Sequence, residues 1–194
     1  MYTGLMVDLS NTKILIVGGG AVALRRAKKL IAYKDQIYLV AREVRDEIKD
    51  LGISYSEGDF DQAMMDGVGL LVIATSDEDL ADRLYEAYKD KGILINNAQD
   101  SKKGNVIFPA SLDLGGIDIN ISTGGAYPSL SSYIRKDLEK RYEKFDQDFV
   151  SLLKAYRAMV LESSIKDKED ILYQALSWTK EELESEIEKL EEKR

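Results

Sequence analysis

The chain contains no cysteine and no histidine among its 194 residues. Without cysteine there are no disulfides, no thiolate nucleophiles and no cysteine-based zinc sites. Without histidine the chain lacks the usual acid or base near neutral pH, which is also the commonest metal ligand. Proton transfer must therefore use Asp, Glu, Lys, Tyr or a bound ligand, and the sequence predicts no metal site.

Long apolar runs and an excess of positive charge are also missing. The longest uninterrupted apolar stretch, LLVIA at 70–74, is far shorter than the roughly 18–20 residues of a membrane-spanning helix. The N-terminus lacks the basic and apolar regions of a signal peptide, so we expect a cytoplasmic protein without a membrane partner. The net charge of −8 argues against nucleic acid as the main partner.

The first half of the chain alternates short apolar segments with segments of helical spacing. The predicted buried strands are KILIV (13–17), QIYLVA (36–41), VGLLVIAT (68–75) and ILINNA (93–98). Strands that alternate with helices predict βαβ units and a parallel sheet covered on both faces. The expected fold class is α/β, with a Rossmann-type doubly wound sheet over residues 1–112.

The pattern changes after residue 104. NVIFPASLD and IDINIST alternate apolar and polar residues, which predicts two half-exposed strands outside the parallel sheet. Pro128 suits the first turn of a helix, and helical spacing then continues to about residue 162. Two short helices follow, the last opened by a capping box of Thr179 and Glu182. We therefore expect a small α+β segment at 113–145 and a helical domain at 146–194.

The stretch ILIVGGGAVALRRA carries a glycine motif between a predicted strand and a predicted helix. Gly18 and Gly20 take the first two positions of G-x-G-x-x-G/A, and Ala23 takes the third. Gly20 would let a pyrophosphate approach the backbone amides of Ala21 and Val22 at the helix N-terminus. The alternative is a glycine-rich turn that binds no ligand.

Other cofactor-binding candidates follow the second and fourth strands. Arg42 could favour a 2′-phosphate or stack on adenine, and Glu43 beside it could accept a hydrogen bond from a ribose hydroxyl. These two residues leave NAD and NADP equally open. Thr75 and Asp77 lie at the carboxyl edge of the sheet, where open α/β sheets bind ligands, although Asp77 or Ser76 could simply cap the next helix.

The stretch NNAQDSKK (96–103) raises the question of whether Asp100 is a chemical group or a turn residue. Its local spacing favours a turn residue. Asp100 follows ILINNA, however, which is the last predicted strand of the parallel sheet. This position puts it at the same carboxyl edge of the sheet as the cofactor candidates. A carboxylate at that edge could accept a proton.

Four stretches occur in a set order: ILIVGGGAVALRRAKKL, LLVIATSDED, ILINNAQDSKKGNVIFPASLD and IDINISTGGAYPSLSSYIRKDLE. Together they resemble the precorrin-2 dehydrogenase family, which includes the N-terminal part of siroheme synthase. The resemblance implies NAD-dependent dehydrogenation of precorrin-2 to sirohydrochlorin, a homodimer formed through residues 113–145, and Asp100 as the essential carboxylate.

The substrate of that family carries eight carboxylates, so the resemblance implies a site rich in amide, hydroxyl and cationic donors. The substrate-binding candidates are Asn97, Ser122, Thr123, Gly124, Gly125 and Arg135. Lys102, Lys103 and Lys136 are further candidates, although each lysine could equally be a solvated surface residue.

Two departures from the family pattern limit what can be transferred. Tyr127 stands where many relatives have serine, and no histidine is available for the iron insertion that some relatives also perform. A bifunctional enzyme with both dehydrogenase and ferrochelatase activity nevertheless stays an alternative. A regulatory NAD-binding module without turnover is a second alternative, but it gives no reason for NNAQDSKK or ISTGGAYP.

Overall fold

The computed structural model describes residues 2–124 and 126–192. The chain divides between Phe108 and Pro109 into two compact units, which we describe separately. In the described ranges, no helix is both long enough and apolar enough to span a bilayer.

The first unit contains a five-stranded parallel sheet with strand order β3-β2-β1-β4-β5. Its strands are β1 (Lys13–Val17), β2 (Ile37–Ala41), β3 (Ser54–Glu57), β4 (Val68–Ile73) and β5 (Leu94–Asn97). The chain builds outward from β1 to β3 and then crosses to β4 on the other side of β1. The carboxyl ends of β1 and β4 therefore form the switch point at which sheets of this type bind ligands.

Helices cover both faces of this sheet, as the apolar runs predict. They are α1 (Ala21–Lys29), α2 (Asp46–Lys49) and α3 (Glu78–Tyr88). Alternate residues of β1 point to opposite cores: Ile14 and Ile16 join a cluster with residues of α1 and α2, and Leu15 joins a cluster with residues of α3. The central strands β1 and β4 are apolar on both sides because both sides are buried.

The second unit combines a two-stranded antiparallel sheet with four helices. The elements are β6 (Ala110–Asp113), β7 (Asp118–Ile121), α4 (Pro128–Arg141), α5 (Gln147–Glu162), α6 (Lys168–Ala175) and α7 (Lys180–Glu191). Helix α4 packs on both strands. Phe149, Tyr156 and Leu183 belong to a separate core shared by α5, α6 and α7. The predicted capping box is present, with Thr179 and Glu182 each accepting from the other's backbone N–H.

The helical spacing from 128 to about 162 is divided between two helices, because α4 ends at Arg141 and α5 begins at Gln147. The carboxylate of Asp146 accepts a hydrogen bond from the Phe149 N–H at 2.8 Å, and it thereby starts a new helix. The carbonyl of Asp146 also lies against the β6–β7 turn, where a Cβ on Gly115 would come within 2.6 Å of it. The predicted fold class, a doubly wound parallel sheet followed by a small α+β segment and helices, is confirmed.

Candidate active site

The turn after β1 consists of three glycines, and two of them are fixed by contacts within the protein. Gly18 has a φ of 125°, and a Cβ there would overlap the backbone of Ala74 and Thr75 after β4. A Cβ on Gly19 would overlap the carbonyl of Glu43, and the Gly19 carbonyl accepts from the Arg45 N–H at 3.2 Å. The turn is therefore wedged between the ends of β2 and β4.

Gly20 differs from both neighbours because a Cβ at this position would meet no protein atom within 4 Å. It is the N-cap of α1 and provides no side-chain hydrogen bond to the helix, whose first turn contains no acidic residue. The first N–H groups of α1, including those of Ala21 and Val22, thus have no capping side chain. This arrangement suits an anion such as a pyrophosphate.

The glycine turn forms one wall of a cleft of about 1040 Å³ at the switch point of the sheet. This volume is at the upper end of the roughly 300–1,000 Å³ of small-molecule sites. The lining includes all eight residues predicted to bind a cofactor: Gly18, Gly20, Ala21, Val22, Arg42, Glu43, Thr75 and Asp77. The structure therefore brings these residues together, and their contacts with a cofactor stay a prediction.

Arg42 is held between two carboxylates at the edge of this cleft. Its Nε donates to Asp59 Oδ1 at 2.8 Å and its Nη2 donates to Asp77 Oδ2 at 3.2 Å. The hydrogen bond with Asp59, supported by the charges of Asp59 and Asp77, raises the pKa of Arg42. Asp77 is also the N-cap of α3, since its Oδ1 accepts from the Leu80 N–H at 3.0 Å. The capping role considered from the sequence is therefore present.

Asp59 and Phe60 line the cleft but were not singled out by the sequence. They follow β3, a strand whose residues are mostly exposed. Because β3 pairs with β2 in parallel, their carboxyl ends lie side by side and Asp59 reaches Arg42. The signal that could have found Asp59 is a carboxylate directly after a strand, in the stretch EGDF.

Asp100 lies in a tight turn after β5 that Asn97 organises. Asn97 is buried, and its Oδ1 accepts from the N–H groups of Gln99 at 2.9 Å and Asp100 at 3.1 Å. Asp100 Oδ1 in turn accepts from the Lys102 N–H at 2.9 Å. Asn97 is thus placed to orient the turn, and its predicted contact with substrate stays a prediction.

Three further contacts connect this turn to other parts of the first unit. The Gln99 side-chain amide donates to the Thr75 carbonyl, which ties the turn to the cofactor cleft that Gln99 also lines. The Tyr2 hydroxyl donates to the Ser101 carbonyl at 3.0 Å. Lys103 forms a 2.6 Å ion pair with Asp82, so this lysine already has a partner.

The Asp100 side chain is half-buried, and only one of its two carboxylate oxygens accepts a hydrogen bond within the turn. Oδ1 is engaged by the turn, whereas Oδ2 has no hydrogen bond to any residue that the structure describes. Asp100 itself is not among the residues that line the cleft, although its neighbour Gln99 is. The carboxylate is therefore fixed in place beside the cleft with a free acceptor.

The other substrate-binding candidates belong to the second unit. In the turn after β7, Gly124 has a φ of 64° and donates its N–H to Ser122 Oγ at 3.0 Å, while Thr123 Oγ1 accepts from the Tyr127 N–H at 3.0 Å. Arg135 pairs with Glu139 at 3.0 Å. Gly125 lies outside the described residues. The role of these residues in substrate binding stays a prediction.

The sequence of the first unit matches a known family. Residues 5–110 match the sequence model of an NAD(P)-binding domain family. The chain belongs to this family. The predicted nicotinamide dinucleotide cofactor agrees with that membership, and the glycine turn and the uncapped N-terminus of α1 fit its pyrophosphate.

Relatives and a solved structure extend the likeness into the second unit. The chain is 32% identical to the siroheme synthase of Actinobacillus succinogenes over 142 residues and 32% identical to that of Blochmanniella floridana over 183 residues. These matches cover 71% and 92% of this chain. The chain spans only 30% and 39% of the length of these relatives.

Among solved structures, the chain is similar to SirC, a precorrin-2 dehydrogenase, with a TM-score of 0.76 and 27% sequence identity. The match covers 97% of this chain and 100% of SirC. The resemblance to precorrin-2 dehydrogenases predicted from the four motifs is thereby confirmed.

Proposed function

We propose that the protein is an NAD-dependent oxidoreductase that converts precorrin-2 to sirohydrochlorin in siroheme biosynthesis. The observation that carries the proposal is the Asp100 turn, which joins a positioned carboxylate to the wall of the cofactor cleft through Gln99 and Thr75. The similarity to SirC over the whole length of both chains supports the same substrate.

The residues of the cleft hold the cofactor in this proposal. The N–H groups of Ala21 and Val22 bind the pyrophosphate, and Thr75 and Gln99 line the same cleft towards the Asp100 turn. When bound, the dinucleotide supplies an acceptor for the hydride that the substrate loses. The protein's own contribution is to orient the two ligands and to exclude water between them.

Asp100 receives the proton that the macrocycle loses when it is oxidised. Its Oδ1 is held by the Lys102 N–H, which leaves Oδ2 to accept the proton. A carboxylate that accepts a proton from a positioned substrate typically contributes about 10²–10⁴-fold to the rate. Asn97 supports this role because it fixes the backbone of the turn.

The test uses purified protein, precorrin-2 and NAD, with absorbance measurements of NADH and sirohydrochlorin. In Asp100→Asn the side-chain oxygen can still accept from Lys102, so the turn is retained while the base is lost. We expect turnover at least about 100-fold slower with unchanged NAD binding. Asp90→Asn is the control, since Asp90 is an exposed aspartate that does not line the cleft.

Each outcome of this assay has a distinct meaning. No turnover by the unaltered protein would contradict the dehydrogenase, and NAD binding without turnover would favour a regulatory module. Conversion of sirohydrochlorin that depends on ferrous iron and not on NAD would favour the ferrochelatase alternative. An unchanged rate in Asp100→Asn would remove Asp100 from the mechanism.

We also propose that the enzyme is a cytoplasmic homodimer formed through the second unit. Apolar side chains are exposed on this unit, including Tyr127 at 61%, Leu130 at 41% and Tyr133 at 71%. Such a patch is typical of an interaction surface. Analytical ultracentrifugation should show a dimer that Leu130→Asp dissociates, and a monomeric unaltered protein would contradict the proposal.

A further inference from the structure

The inference concerns Arg42, the arginine at the edge of the cofactor cleft. In dinucleotide-binding folds, a carboxylate near the end of the second strand bonds the ribose 2′-hydroxyl of NAD, and an arginine nearby accommodates the 2′-phosphate of NADP. Arg42 directly follows β2, which ends at Ala41. Taken alone, this position would suit NADP.

Two of the five N–H donors of Arg42 are already engaged by carboxylates, however. The Asp59 carboxylate takes Nε at 2.8 Å and the Asp77 carboxylate takes Nη2 at 3.2 Å. A 2′-phosphate that bound the remaining donors of Arg42 would lie beside the two negative charges of Asp59 and Asp77. The second arginine of the cleft offers no substitute, because Arg45 is paired with Glu47 at 2.7 Å.

The two carboxylates that hold Arg42 differ in what else they do. Asp77 caps α3 through the Leu80 N–H, so it has a structural role. Asp59 has 82% of its side chain exposed, and its carboxylate bonds only Arg42 among the residues that the structure describes. An ion pair this exposed contributes little to stability, so stability gives no sufficient reason for an aspartate at this position of the cleft wall.

We propose that Asp59 determines cofactor specificity, because it pairs with the charge of Arg42 and places a negative charge beside the position where a 2′-phosphate would bind. NAD, which carries a hydroxyl at this position, meets no such repulsion. The inference rests on the proposed use of NAD and deepens it, since it names the residue that separates NAD from NADP.

The test compares the binding of NAD⁺ and NADP⁺ by calorimetry at low ionic strength, without precorrin-2. In Asp59→Asn the negative charge is lost at nearly constant side-chain volume, and the ion pair with Arg42 becomes at most a neutral hydrogen bond. We expect the Kd for NADP⁺ to fall at least about tenfold relative to that for NAD⁺, the ratio that corresponds to 1.4 kcal/mol. This gain in relative affinity for NADP⁺ should become smaller as salt is added, because it depends on exposed charges.

Two further variants identify the source of any change. Asp50→Asn removes one negative charge from an exposed residue that does not line the cleft, and it should leave the ratio of the two Kd values unchanged. Arg42→Gln combined with Asp59→Asn should cancel the gain in NADP⁺ affinity, since the guanidinium that attracts the phosphate is then missing. Thermal unfolding of each variant verifies that the fold is intact.

An unchanged ratio in Asp59→Asn would overturn the inference, as would equal affinities for NAD⁺ and NADP⁺ in the unaltered protein. A gain that persists in the double variant would show that Arg42 is not involved and would also overturn it. Because these measurements need no turnover, a failure of the proposed dehydrogenase leaves them interpretable.

Discussion

The substitution of Gly20 by alanine tests whether the glycine turn binds a pyrophosphate. Gly20 lines the cleft, and an added Cβ would meet no protein atom within 4 Å. The new methyl group therefore occupies space that the protein leaves open. The expected loss is one of ligand binding and not of folding.

The magnitude follows from the contacts that a methyl group would block. Hydrogen bonds from backbone N–H groups to a charged ligand contribute about 1.5–3 kcal/mol each, and loss of one corresponds to about 10- to 150-fold weaker binding. Gly20 has a φ of −88°, which alanine adopts freely. The free energy of unfolding should therefore stay constant or rise by up to ~1 kcal/mol, because alanine restricts the unfolded chain.

The assay pairs calorimetric titration with NAD and denaturant unfolding of the same protein. Gly18→Ala is the contrasting variant, since its φ of 125° and its contact with the end of β4 make alanine costly to the fold. We expect this variant to be destabilised by more than ~1–2 kcal/mol. If Gly20→Ala bound NAD as tightly as the unaltered protein, the pyrophosphate would not lie on this turn.

Four other changes test separate parts of the structure. Asn97→Ala should slow turnover by about 100-fold with little effect on NAD affinity, because the turn loses two hydrogen bonds; equal kcat values would contradict this. Thr179→Ala should lower the free energy of unfolding by ~1 kcal/mol through loss of the cap, as denaturant titration can verify. Gly115→Ala should destabilise the second unit, since its φ is 60° and its Cβ would lie 2.6 Å from a carbonyl; an unchanged melting temperature would refute the contact. The hydrogen bond from Arg45 lowers the pKa of Glu47 from 4.5 to about 2, so this exposed pair makes a small contribution to stability above pH 4.5, which is lost as pH falls towards 2. Unfolding of Glu47→Gln across that range should therefore depend less steeply on pH, and an identical slope would exclude the pair.

The sequence was sufficient to predict the parallel sheet, because strands that are buried on both faces consist of uninterrupted apolar runs. Leu70, Leu71 and Val72 are buried in an uninterrupted apolar run, which alternation with helices places in a βαβ unit. The glycine motif likewise has a local cause, the sharp turn from β1 into α1. Such features depend on residues that are neighbours in the chain, so they can be predicted from the sequence before the fold is known.

Features that depend on neighbours in space were harder to predict. Asp59 belongs to the cleft only because β3 lies beside β2, and the order of the strands in a sheet cannot be read from the local sequence. Gly19 occupies a position that the motif leaves unspecified, yet the carbonyl of Glu43 leaves room only for glycine. The side chain of Asn97 organises the Asp100 turn, a role that its position in the sequence does not indicate, and its contact with substrate stays a prediction.

The contact between Tyr2 and the Asp100 turn has a practical consequence for how the protein is produced. The Tyr2 hydroxyl reaches the carbonyl of Ser101, the residue directly after Asp100. An affinity tag fused to the N-terminus is therefore attached close in sequence to a residue that contacts the turn of the proposed catalytic carboxylate. Kinetic work on the protein is best done with a tag at the C-terminal end, or with the tag removed by a protease that leaves Tyr2 in place.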